Sequence, residues 1–181
     1  MAKTVGRALV VIDVQAGLFA VTPGPFDASG VLARINDLST RARAAGCPVI
    51  FIQHDGAAEG LEPGSPGWQL DPALVREPTD LVIRKTACDA FYRSALGETL
   101  ARAGVRAVVV TGYATEFCVE TTVRRAASEG FDVVLVSDAH TTCDRPVLPA
   151  RQVIAHHNWV LANLVQPDNP VQVRPAREVE F

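Results

Sequence analysis

The sequence predicts an α/β fold: a three-layer α/β/α sandwich around a mostly parallel, doubly wound, Rossmann-like sheet of about six strands. Three observations predict it. Short apolar runs rich in β-branched residues occur at 8–12, 48–52, 105–111 and 133–137, with a fainter one at 80–84. These runs do not alternate apolar with polar residues, which is the pattern of strands covered on both faces. Between them lie helical patterns that end on Gly46, Gly104 and Gly130, residues suited to a helix C-terminus.

Residues 8–12 form the first strand and deliver the chain to Asp13. Val31, Ile35 and Leu38 stand at helical spacing in a helix over 31–45, and the strand at 48–52 follows. Residues 56–72 carry Gly60, Pro63, Gly64, Pro66 and Gly67 and read as a long irregular loop over the sheet, a candidate lid. The faint strand at 80–84 precedes Lys85. Helices at 95–103 and 116–129 flank the strand at 105–111. After the strand at 133–137, Val153, His157, Val160, Leu161 and Leu164 fit a helix that runs from past Pro146 to about 164, and a short last strand is expected at 171–173. No repeat or low-complexity segment interrupts this order, and no linker divides it, so residues 1–181 read as one domain.

Composition excludes several classes of function. With 48% apolar residues and a net charge of −3, the 181-residue chain offers no basic face for nucleic acid. No apolar run approaches the roughly 20 residues that cross a bilayer, and the apolar segment near the N-terminus is too short for a signal peptide. No membrane association and a cytoplasmic location are expected. The four cysteines, Cys47, Cys88, Cys118 and Cys143, are widely spaced without a C-x-x-C pair. They read as reduced thiols, neither a zinc knuckle nor a disulfide framework.

In open α/β sheets the ligand crevice lies beyond the carboxyl ends of the strands. Three unlike groups are expected there: Asp13 after the first strand, Lys85 after the faint strand, and Cys118 in the first turn of the helix that follows 105–112. A lysine cation and a helix N-terminus both favour a thiolate, and a carboxylate accepts the thiol proton, returns it to a leaving amine and then activates water. Taken singly, each residue has a bland explanation: a turn carboxylate, a surface charge, an apolar filler. Their placement at equivalent strand ends favours chemistry.

The run Ala8-Leu9-Val10-Val11-Ile12-Asp13-Val14-Gln15, the triplet Arg84-Lys85-Thr86, and Thr111-Gly112-Tyr113-Ala114-Thr115-Glu116-Phe117-Cys118-Val119 with Thr121, Thr122 and Ala126 resemble the isochorismatase-like cysteine hydrolase superfamily. Ser137-Asp138-Ala139 adds a further match, and the resemblance runs from about residue 7 to about residue 165. It implies a catalytic Cys118, Asp13 and Lys85, an oxyanion hole from the N–H groups of Ala114 and Cys118, and a cis bond between Tyr113 and Ala114. It also implies a small-molecule substrate and a homo-oligomer, either dimer or tetramer.

The resemblance has limits. Nicotinamidases of the superfamily carry an Asp-x-His metal motif, whereas this chain has Gln53-His54-Asp55-Gly56 and no histidine between 56 and 80, so neither metal nor cofactor is expected. A nucleophilic cysteine favours the amidohydrolase branch and C–N bonds of amides, ureides or lactams. A vinyl ether or ester hydrolase and a non-catalytic binding protein are the alternatives. Candidate substrate contacts are Gln15, Leu18, Phe19, Trp68, Tyr113 and His54, the last read either as a pocket wall or as a buffer between strand and loop. Cys88 and Cys143 are expected near the same rim.

Overall fold

The inner strands form where apolar residues run without interruption. In the computed structural model, which describes residues 6–57, 60–166 and 168–181, β1 spans Gly6–Ile12 and its residues 8–12 are at most 2% exposed. The expectations for the segment before residue 6, and for residues 58 and 59 of the long loop, lie outside the described residues. Along β1, Ala8, Val10 and Ile12 belong to one apolar cluster and Leu9 and Val11 to another, because successive side chains of a strand point to opposite faces. Both faces must therefore be covered.

The chain supplies the cover in order. A single turn, α1 (Ala16–Phe19), is too short to show periodicity and was not foreseen; α2 (Ala28–Ala44) brings Val31, Ile35, Leu38 and Ala42 onto the face of Leu9 and Val11. Strands β2 (Val49–His54) and β3 (Leu81–Lys85) follow, then α3 (Leu96–Arg102), β4 (Val105–Tyr113), a π-helical turn (Thr115–Val119) running directly into α4 (Glu120–Ser128), β5 (Asp132–Thr141), α5 (Ala150–Ala162) and β6 (Gln172–Arg174). Leu96 and Leu100 of α3, Val123 and Ala126 of α4 and Leu161 of α5 pack on the face of Ala8, Val10 and Ile12. Three layers result, as the sequence predicts.

The six strands pair in the order β3-β2-β1-β4-β5-β6 and every pairing is parallel. The faint signal of β3 has a physical cause. It is an edge strand in which Leu81, Val82 and Arg84 are exposed while Ile83 and Lys85 are buried, so it lacks the continuous apolar run of a central strand. β5 runs four residues past the expected end. Its register with β4 jumps from Val110↔Leu135 to Gly112↔His140, so β5 bulges outward and resumes at His140. Among the described residues, no helix is long and apolar enough to cross a membrane.

Candidate active site

The strand order reverses between β1 and β4, and the crevice beyond their carboxyl ends is where the fold places ligands. β1 delivers Asp13 there, with φ 49° and its N–H bonded to the Ile52 carbonyl at 3.0 Å. β3 delivers Lys85 as its last residue, the strand ending one residue later than expected. On the other side β4 ends at Tyr113, the Tyr113–Ala114 peptide is cis, and the π-helical turn presents Cys118. Gly112 permits this close approach. Its φ is +118°, and a Cβ there would lie 2.1 Å from the Ile12 carbonyl oxygen, so β1 and β4 touch backbone to backbone beside the crevice.

The three expected groups meet. Lys85 Nζ lies 2.7 Å from Asp13 Oδ2 and donates to Cys118 Sγ at 3.2 Å and to the Ala87 carbonyl at 2.9 Å. The fourth neighbour of Nζ is His54 Nδ1 at 3.1 Å. Both ends of the ion pair are sealed, with side-chain exposures of 0% and 2%. Asp13 Oδ1 is buried and, among the described residues, has no donor in good hydrogen-bond geometry, although the Cys118 thiol interacts with this carboxyl. One carboxylate oxygen is thus committed to the ammonium.

Burial pushes the Asp13 carboxyl above the ordinary carboxylate range, against the pull of the Lys85 charge. Burial acts to lower Lys85, but the charge of Asp13 and the hydrogen bonds to Asp13 and Cys118 outweigh it and hold the ammonium above its usual range. Burial, and then the negative charge of Asp13, raise the Cys118 thiol more than Lys85 lowers it. From the sequence, Lys85 and the helix start are expected to favour a thiolate, with Asp13 accepting the thiol proton. The shifts of Asp13 and Cys118 point the same way: the folded site favours the neutral thiol and raises the basicity of the carboxylate beside it.

A cavity of about 360 Å³ opens above these groups, lined by Asp13, Leu18, His54, Leu61, Cys88, Tyr113, Ala114, Phe117, Cys118 and Arg145. Of the expected substrate contacts, Leu18, His54 and Tyr113 line it. Gln15 does not. It is fully buried, its Nε2 donates to the His54 and Trp68 carbonyls at 3.0 and 2.9 Å, and its Oε1 accepts the His54 N–H at 2.8 Å, so its amide ties β1 to β2 and the long loop. Trp68 is not a lining residue either: its Nε1 donates to Asp55 at 2.8 Å and its ring lies under the Arg84 guanidinium. The loop contributes Leu61 to the cavity. Phe19 stands behind the lining with its ring 5.8 Å from that of Tyr113.

Leu61, Phe117 and Arg145 were missed as lining residues. Arg145 donates to Glu116 at 2.5 Å and to Thr142 at 2.9 Å, and it lies in a loop with no periodicity to reveal it. Cys88 lines the cavity as expected at the rim, whereas Cys143 sits behind Tyr113, its sulfur 3.7 Å from the phenol oxygen. Burial and that contact push the Tyr113 phenol up to about 12, so it stays neutral. Among the described residues, no group of three or more His, Cys, Asp or Glu is placed to hold a metal ion.

The sequence pattern of the isochorismatase domain matches residues 7–166. The chain belongs to the isochorismatase family. This isochorismatase-family chain is 42% identical over 144 residues to streptothricin hydrolase of Streptomyces noursei, a match covering 79% of the chain and 57% of the relative, so it spans little more than half of that protein's length. It is 34% identical over 172 residues to the ureidoacrylate amidohydrolase RutB of Pseudomonas syringae pv. syringae, covering 74% of the chain and 70% of the relative. A crystal structure of an isochorismatase from Pseudomonas putida KT2440 superposes with a TM-score of 0.84 at 31% identity, covering 96% of this chain and 89% of that one.

Proposed function

We propose that this chain is a cysteine amidohydrolase that cleaves a C–N bond of a small amide, ureide or lactam through a thioester on Cys118. One observation carries the reading: a single buried ammonium holds both a carboxylate oxygen of Asp13 and the sulfur of Cys118 at a cavity that these two residues line. The similarity to a streptothricin hydrolase and a ureidoacrylate amidohydrolase supports a C–N bond as the target.

In this reading Asp13 Oδ1 takes the thiol proton as Cys118 Sγ attacks the carbonyl carbon, because a thiol held in its neutral form needs a base at the moment of attack. The charge on the carbonyl oxygen is met by the N–H groups of Ala114 and Cys118 at the start of the helical turn. As the C–N bond breaks, Asp13 returns the proton to the leaving nitrogen. Asp13 then draws a proton from water, whose oxygen attacks the thioester; the C–S bond breaks, and the sulfur regains a proton as the acid or carbamate departs. Lys85 keeps the carboxylate and sulfur in register throughout. A cytoplasmic setting belongs to the same proposal, supported by free thiols at Cys47, Cys88, Cys118 and Cys143.

The test is amine or ammonia release from a panel of small amides, ureides and lactams. Cys118→Ala is expected to abolish release while leaving the thermal unfolding midpoint within a few degrees, and an acyl mass is expected on Cys118 during turnover of a slow substrate. Full activity in Cys118→Ala would overturn the mechanism.

A further inference from the structure

Past the bulge of β5, His140 is 1% exposed and is not itself one of the cavity-lining residues named above. Its Nδ1 lies 2.8 Å from Thr115 Oγ1 and its Nε2 lies 2.9 Å from Asn158 Oδ1 on α5. The orientation of the Asn158 amide is set by its Nδ2, which donates to the Ser137 carbonyl at 3.0 Å. Asn158 therefore offers an acceptor to the ring, so Nε2 carries the hydrogen and Nδ1 is bare. A bare Nδ1 accepts, and the Thr115 hydroxyl must donate. The chain of bonds has one direction: Thr115 to His140, His140 to Asn158, Asn158 to Ser137.

Burial holds His140 neutral, pushing it down to about 4, with His157 of α5 adding to the effect and the Asn158 hydrogen bond, Asp138 of β5 and Glu116 of the π-helical turn opposing it. The neutral tautomer is the one this chain requires. Thr115 is the first residue of the turn that carries Cys118 and directly follows Ala114. A turn with i→i+5 bonds, as from the Val119 N–H to the Ala114 carbonyl at 3.2 Å, is less regular than an α-helix and gains definition from side-chain anchors.

We infer that Thr115, His140 and Asn158 form a positioning chain that fixes the turn bearing Cys118, with neutral His140 as the acceptor that sets its direction. It rests on the proposed role of Cys118 only for its effect on turnover; its effect on sulfur reactivity stands by itself. Misplacement of a reacting group by about 1 Å can cost on the order of a hundredfold in rate, so an anchor two bonds behind the turn is expected to register in kinetics.

The experiment measures, by mass spectrometry of the intact chain, the rate at which iodoacetamide alkylates Cys118, with the exposed Cys88 as internal control. Thr115→Val keeps the shape and removes the donor; it is expected to slow Cys118 alkylation by about tenfold and leave Cys88 unchanged, while Thr115→Ser stays within about twofold of the parent chain. Asn158→Leu removes the acceptor that selects the tautomer and is expected to act in the same direction from a different helix. Should Thr115→Val unfold, Asn158→Leu and Thr115→Ser carry the comparison. Parental Cys118 alkylation in both Thr115→Val and Asn158→Leu would overturn the inference. So would equal slowing of Cys88, since that reports general loosening. On any amide found to be a substrate, the same variants are expected to lower kcat more than they raise KM. If the parent chain releases no amine from the panel while alkylation still separates the variants, the amidohydrolase reading fails and the positioning chain stands.

Discussion

Three residues far apart in the chain share one proton economy. Lys85 is fully buried because Asp13 is its counter-ion, and Asp13 tolerates burial for the same reason. Removing one partner strands the other's charge, a loss of about 3–5 kcal/mol, whereas replacing both with uncharged groups is often far milder. Lys85→Met is therefore expected to lower unfolding free energy in urea by about 3 kcal/mol, and the double variant Asp13→Asn, Lys85→Met to recover much of that loss without recovering turnover. If the double variant were no more stable than Lys85→Met, the two side chains would not be acting as a pair. These three residues were legible because each stands at the end of a predicted strand or the start of a predicted helix. Gln15 and Trp68 stand outside the lining for a complementary reason: a polar side chain near a crevice serves either substrate or the fold, and here backbone and neighbouring side chains take their hydrogen bonds.

At the scale of elements, the site depends on how closely β4 can approach β1. Gly112 faces the Ile12 backbone at its left-handed φ, so Gly112→Ala adds both strain and a backbone clash. It is expected to destabilise the chain by more than about 1 kcal/mol, measured by denaturant midpoint, and to disturb Cys118 alkylation because β4 leads directly into the π-helical turn. Unchanged stability and reactivity would mean that the strands separate freely there. The bulge in β5 is the other element that matters. It was invisible because the apolar run stops at Val136 and the residues that follow, Ser137, Asp138 and His140, are polar. Asp138 is spent on structure, its Oδ1 accepting the Ala176 N–H at 2.7 Å, and only the resumed strand beyond it brings His140 against Thr115. β3 teaches the converse: half-exposed edge strands blur a signal that depends on burial.

For the whole molecule, the two apolar layers make the fold robust and a buried histidine makes it acid-sensitive. The unfolded chain binds a proton at His140 near pH 6.5, but the folded chain resists it until about 4. Between those values the unfolded state holds more protons, so the contribution of His140 to stability is fully present above about pH 6.5 and is lost as the pH drops toward 4, about 3 kcal/mol from this residue. His140→Asn is expected to flatten the part of the urea-stability profile between pH 6.5 and 4; an unaltered slope would place the acid sensitivity elsewhere. The sequence by itself determined the order of strands and helices, the two-faced burial of the sheet, and the strand ends that carry Asp13, Lys85 and Cys118, because hydrophobic periodicity and helix-ending glycines are local properties of the chain. Tertiary structure alone decided that burial and Asp13 push the Cys118 thiol up, that Arg145 and Leu61 enter the cavity, and that His140 is neutral with Nδ1 as acceptor. Those outcomes depend on desolvation and on partners tens of residues away, and neither exists until the layers close.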